Sequence, residues 1–136
     1  MAPRKASSKR IPPERAGIYW AKAQDFFKMM REAALARNWN GVGLAAVHCA
    51  ISASDALLVA KAGLRSSSDD HRDAVYLLGG HIRHPEVKEQ AGRLDRILAE
   101  KNLIECVDKS FSEKEALAIQ KQVKRYMGWV QTLLAG

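Results

Sequence analysis

The stretch from Asn40 to Lys61 constrains the fold more than any other part of the sequence, because as a helix it is apolar on nearly every side. Its apolar residues are Val42, Leu44, Ala45, Ala46, Val47, Ala50, Ile51, Ala53, Ala56, Leu57, Leu58 and Val59. A helix without a polar face is typical of the buried centre of a protein, where other elements surround it. The sequence therefore predicts a central helix that Asn40 caps at its start and Gly63 ends.

The flanking sequence supplies amphipathic helices to surround it. Only one proline, Pro85, follows residue 13, so long helices are sterically allowed. Apolar residues recur at helical spacing in three segments: Tyr19, Ala23, Phe26, Met30 and Ala33 within residues 17–38; Val87, Ala91, Leu94 and Leu98; and Ala116, Ile119, Val123, Tyr126, Val130 and Leu133. Pro85 suits the first position of the second segment, and Ser112 with Glu115 forms a capping box for the last.

The remaining segments are shorter. Residues 65–70 are predicted to be a polar loop whose Ser68 or Asp69 caps a short helix from His71 to Leu78, which Gly79 and Gly80 end. Residues 101–110 are predicted to be a break or a weak helical turn. No stretch alternates convincingly as a strand does. The predicted fold is all-α: four long helices and one short one in an up-and-down bundle.

Length and charge indicate one domain that follows a basic N-terminal tail. The chain has 136 residues and a formal net charge of +7, which is enough sequence for one domain. Residues 1–15 contribute +4 of this charge, contain three of the four prolines and hold little that is apolar. We expect them to be a disordered tail that can neutralise phosphates but has no aromatic ring for stacking. The predicted domain is residues 16–136.

Composition also excludes several classes of protein. Two cysteines are too few for the disulfide framework of a small secreted protein. The most apolar run, residues 44–62, is interrupted by His48, Asp55 and Lys61, and it does not predict a membrane span. The basic start is followed by no apolar stretch, so it does not resemble a secretory signal. These features predict a cytoplasmic protein.

Three stretches of the sequence form a pattern in their order and spacing. They are Tyr19-x-x-x-Ala23-x-x-Phe26, the run from Ala45 to Leu58 (AAVHCAISASDALL), and Lys101-Asn-Leu-Ile-Glu105, with the polar loop ending in Asp70-His71 between the last two. Together they resemble the HEPN family, the higher eukaryote and prokaryote nucleotide-binding domain. The resemblance covers nearly all of residues 17–134. It implies a bundle of four to five helices that forms homodimers and often partners a minimal nucleotidyltransferase in toxin–antitoxin fashion.

Many proteins of that family are metal-independent ribonucleases with an arginine followed, after four to six residues, by a histidine. A guanidinium can hold the scissile phosphate while an imidazole takes the 2′-hydroxyl proton. At the expected place this sequence has Lys101, Asn102 and, at the histidine position, Cys106. Lys101 and Asn102 are therefore candidates for binding RNA or a nucleotide, and in the alternative function they are candidates for catalysis in a modified site.

A literal match to the motif lies elsewhere, in Arg65-Ser-Ser-Ser-Asp-Asp-His71. Arg65 and His71 are thus the candidate catalytic pair of a remodelled ribonuclease. The alternative is that Asp69 or Asp70 caps the third helix and His71 is a surface residue of its first turn. Short motifs of this kind often arise by chance, and the alternative is favoured.

His48, Ser52 and Asp55 share one face of the central helix. They form either a ligand-binding pocket between helices or a satisfied polar network, the latter being the more common use of such residues. Candidate partners are His71, Asp70 and arginines of the fourth helix. His81 and His84 lack the further ligands of a metal site, so no metal or cofactor is predicted.

The sequence as a whole predicts a HEPN-like module that binds RNA, a nucleotide or a partner nucleotidyltransferase without catalysis of its own. The alternative function is a metal-independent ribonuclease with a remodelled site.

Overall fold

The computed structural model describes residues 6–67, 71–105 and 110–136, with the side chains of residues 102–105 left out. Over these ranges the helices are α1 (Ala16–Leu35), α2 (Trp39–Ala62), α3 (Asp73–His81), α4 (Val87–Glu105) and α5 (Glu113–Ala135). The strands are β1 (Ser8–Arg10) and β2 (Leu64–Ser66). The all-α prediction of four long helices and one short one is confirmed.

The central position of α2 is confirmed as well. It packs against each of the other four helices, and most of its residues are buried. It is the one described helix long and apolar enough to cross a membrane, yet 83% of its most apolar window is buried. Such burial is typical of the core helix of a soluble protein.

The ends of α2 follow the predicted chemistry at one terminus and depart from it at the other. Gly63 ends the helix in the left-handed conformation, with φ of 65°, as predicted. The N-cap is Asn38, whose Oδ1 accepts from the Gly41 amide at 3.0 Å; the prediction of Asn40 is wrong. Asn40 Oδ1 instead accepts from the Phe111 amide. This contact links the segment just before α5 to the first turn of α2.

Two other helix ends were mispredicted. α3 continues through Gly79 and Gly80 to His81, since buried Leu77, Leu78 and Ile82 hold the segment against the core. α4 runs on to Glu105, through half of the segment predicted to be a break. The capping box of Ser112 and Glu115 at α5 is confirmed.

The structure also differs from the expected disordered tail. Ser8–Arg10 pairs antiparallel with Leu64–Ser66, so that Lys9 faces Arg65, and the Ile11 amide donates to the Gly63 carbonyl. A short 3₁₀ turn, Pro13–Arg15, then leads into α1. This pairing leaves little pattern in the sequence, because both strands are three residues long. Their stability comes from the backbone pairing and from Leu64 and Ser66, which are buried.

Candidate nucleic-acid interface

Arg65 lies at the centre of a group of polar side chains where β2, α1 and α2 meet. Its Nη1 is 3.6 Å from Asp55 Oδ2, and its guanidinium carbon is 5.6 Å from the centre of the Tyr19 ring. Lys22 Nζ lies 5.9 Å from the same ring, and Lys9 is the strand partner of Arg65. We call these five residues the Arg65 cluster. It brings three cations and one aromatic ring together around a single carboxylate.

The carboxylate is buried and the cations are more open. Asp55 is 6% exposed, while the Arg65 side chain is 27% exposed and Lys9 and Lys22 are exposed. Burial raises the pKa of Asp55 to about 6, although the positive charges of Arg65, Lys22 and Lys9 lower it in that order. One carboxylate thus faces three positive charges, which leaves the surface of the cluster positive.

Arg65 has donor capacity that the fold does not use. Its Nε–H is buried and has no acceptor within the described residues. The distance of 3.6 Å to Asp55 is an ion-pair separation, longer than a normal hydrogen bond. A guanidinium presents five donors in a planar fork that matches carboxylate and phosphate oxygens. The Arg65 side chain is 27% exposed, and the exposed part of its guanidinium is where a further anionic acceptor can bind from solvent.

The two other polar residues predicted on this face of α2 lie along the groove between α1 and α2. Ser52 is buried, and the His48 ring stacks on Phe26 with centroids 5.4 Å apart and planes inclined by 28°. The partners expected for this face were His71, Asp70 and arginines of α4. The partners that the structure shows for this face come from α1 and β2, and Asp70 lies outside the described residues.

Of the expected α4 arginines, Arg93 has partners of its own. It is buried, its Nε donates to Gln90 and its Nη1 to Gln122, and it lies 3.7 Å from Glu89. This set of contacts ties α4 to α5 and holds Arg93 in the helix pair rather than in a site on α2.

Beside His48 the groove opens into a cavity of about 420 Å³. Its walls are mostly apolar, and Asn38 and Glu32 are polar residues on its lining. The remaining lining residues are Phe26, Met29, Ala33, Gly41, Leu44 and Ala45. No sequence pattern predicts this cavity, because only the packing of α1 on α2 creates it.

The candidate catalytic pair lies on two different elements. Arg65 is in β2, and its guanidinium contacts Asp55 and Tyr19. His71 lies in the turn before α3, where its carbonyl accepts from the Ala74 amide. Residues 68–70 between them, with the predicted caps Ser68, Asp69 and Asp70, lie outside the described residues. The observed contacts assign the Arg65 guanidinium to the cluster.

Lys101 and Asn102 belong to another part of the fold. Both lie in the last turns of α4, whereas the Arg65 cluster is formed by α1, α2 and the two strands. The Asn102 side chain and Cys106 lie outside the described residues. The predicted binding residues therefore divide between the groove that holds His48, Ser52 and Asp55 and the end of α4.

Sequence reasoning missed Tyr19, Lys22 and Lys9. Tyr19 was placed in the apolar stripe of the first helix, and Lys9 in a disordered tail. The spacing of three between Tyr19 and Lys22 does predict that they are neighbours on a helix. Nothing local indicates that β1 would bring Lys9 beside Arg65. Among the described residues, no group of three or more His, Cys, Asp or Glu side chains is arranged to hold a metal ion.

Comparison with protein-family models, curated proteins and solved structures finds no match to this chain.

Proposed function

We propose that this protein is a HEPN-like helical module that binds single-stranded RNA through the Arg65 cluster and does not cleave it. The observation that carries the proposal is the placement of Arg65 and Lys22 around the Tyr19 ring, with Lys9 on the neighbouring strand. Proteins that bind single strands combine cations that follow the phosphates with aromatic rings on which bases stack. The cluster has both components.

The resemblance of residues 17–134 to HEPN domains supports the same assignment and adds its context. On that basis we infer a cytoplasmic homodimer that serves a nucleotidyltransferase partner. The absence of catalysis follows from the sequence at the family's motif, where Lys101 stands for arginine and Cys106 for histidine. A thiol is a poor substitute for imidazole in removing a proton from a sugar hydroxyl at neutral pH.

Fluorescence anisotropy with a labelled 12-nucleotide RNA tests the binding. Each phosphate contact on a single strand contributes about 0.7 to the slope of log K against log salt. We expect Arg65→Ala to reduce that slope by about 0.7. Tyr19→Ala should weaken binding about 5- to 150-fold, since stacking on one aromatic ring stabilises by about 1–3 kcal/mol.

Arg125→Ala is the matched control, because Arg125 is an exposed arginine on α5, a helix that contributes no residue to the Arg65 cluster. An equal reduction of the salt slope in Arg65→Ala and Arg125→Ala would contradict the proposal.

A metal-free incubation with end-labelled RNA tests whether the protein cleaves the RNA that it binds. Cleavage that disappears in His71→Ala would show that the protein is a ribonuclease instead.

A further inference from the structure

We infer that the cavity between α1 and α2 is a nucleobase pocket, which receives a base of the same RNA strand whose phosphates the Arg65 cluster holds. This inference rests on the proposed function and extends it from stacking on Tyr19 to a separate pocket that receives one base. It assigns His48 and Phe26 as base-contacting residues and the cavity as the place where one base leaves the stack.

The cavity and the Arg65 cluster lie along one groove. On α2, Asp55, Ser52 and His48 follow one another at steps of three and four residues, and they therefore lie in a row. On α1, Tyr19 and Phe26 are seven residues apart, or about 10 Å at a rise of 1.5 Å per residue. This is the length of about three stacked nucleotides, at roughly 3.4 Å each along one strand. A strand held at Tyr19 therefore reaches His48 within a few nucleotides.

The walls of the cavity match a base in shape and polarity. RNA-binding proteins bind unstacked bases against aromatic or histidine rings and hydrogen-bond their edges. Here the stacked rings of Phe26 and His48 form one side. Ala33 is a small residue on the lining, and Asn38 and Glu32 supply an amide and a carboxylate.

The polar groups present both kinds of hydrogen-bonding partner. Asn38 Oδ1 is engaged with the Gly41 amide, so its NH₂ group is the donor that remains for a ligand. Glu32 is exposed, and its bond to Lys28 is a surface pair at 3.9 Å that a ligand can replace at small cost. A purely aliphatic ligand would fill the cavity without using either group, whereas a base edge uses both.

The test compares two labelled RNAs, one with bases throughout and one in which the central residues are abasic ribose phosphates. We expect the unmodified protein to bind the base-bearing RNA about 5- to 150-fold more tightly. Ala33→Leu places a larger side chain in the cavity and should lower this ratio to the part that stacking on Tyr19 contributes. Its salt slope should not change, because the Arg65 cluster is untouched.

His48→Ala is a second variant that removes a ring instead of adding bulk, and it should lower the same ratio. Ala118→Leu is the matched control, since it adds the same bulk to an exposed alanine that lines a different cavity, between α4 and α5. It should leave the ratio unchanged.

The outcomes separate the two proposals. Salt-dependent binding of both RNAs with a ratio that Ala33→Leu and His48→Ala leave unchanged would refute the base pocket alone. An equal loss of the ratio in Ala118→Leu would also refute it. If neither RNA binds in a salt-dependent manner, the proposed function is wrong and the pocket falls with it.

Discussion

A buried hydrogen bond between α2 and α5 gives a quantitative test of the packing. Ser54 and Tyr126 are both fully buried, and their hydroxyl oxygens lie 2.6 Å apart. The Ser54 hydroxyl also lies 2.8 Å from the Ala50 carbonyl, which can only accept. Ser54 therefore donates to Ala50 and accepts from Tyr126, so the two hydroxyls have unequal roles.

The unequal roles predict unequal costs of mutation. Tyr126→Phe removes a donor, and Ser54 keeps its bond to Ala50; we expect a loss of about 1 kcal/mol in the free energy of unfolding. Ser54→Ala leaves the Tyr126 hydroxyl buried without its acceptor, which costs about 1–3 kcal/mol. In the double variant both polar groups are gone, so its loss should not exceed that of Ser54→Ala alone.

Urea denaturation followed by circular dichroism measures these differences in a double-mutant cycle. Thr132→Ala is the control, because the Thr132 hydroxyl donates to the Gly128 carbonyl in the same way at an exposed position. We expect that variant to stay within about 0.5 kcal/mol of the parent protein. Losses that add in the double variant, or a Tyr126→Phe loss larger than that of Ser54→Ala, would refute the assignment of donor and acceptor.

Two further predictions concern Asp55 and two glycines. Burial raises the pKa of Asp55 from 3.8 to about 6, so the folded state holds this proton more tightly than the unfolded chain. The stability that Asp55 contributes is therefore complete below pH about 4 and is lost as the pH rises through about 6. In Asp55→Asn the urea midpoint should change less with pH over this window. A pH dependence equal to that of the parent protein would contradict the burial argument. Gly63→Ala should destabilise the fold by about 1 kcal/mol, because Gly63 has φ of 65°. Gly79→Ala, in helix with no atom near its added methyl group, should stabilise it by about 0.5–1 kcal/mol. Thermal melts that place both glycine variants on the same side of the parent protein would show that backbone conformation is not the deciding factor.

The candidate site could be predicted only in part from the sequence. The spacing of His48, Ser52 and Asp55 placed them on one face of a helix, which the structure confirms. Their partners could not be predicted from the sequence, because Tyr19 and Arg65 lie beside this face on elements distant in sequence. Lys9 was assigned to a disordered tail for the same reason. The pairing that orders it depends on a backbone partner more than fifty residues away.

The sequence by itself determined the helical class and the central position of α2. Both follow from local periodicity, since a segment that is apolar all round must be covered by others. The left-handed end at Gly63 and the capping box at Ser112 were equally local, because each depends on the chemistry of a few consecutive residues.

The tertiary structure alone decided which polar groups meet. The N-cap of α2 is Asn38 rather than Asn40, because the Asn40 side chain accepts from the Phe111 amide. The helix α3 continues through Gly79 and Gly80, because the residues around these glycines are buried. The tertiary structure also joined Arg65, Tyr19 and Asp55, whose contacts arise only when α1, α2 and β2 pack together. Interactions between residues far apart in sequence leave no periodic pattern in either segment, and so the site emerges only when the chain is folded.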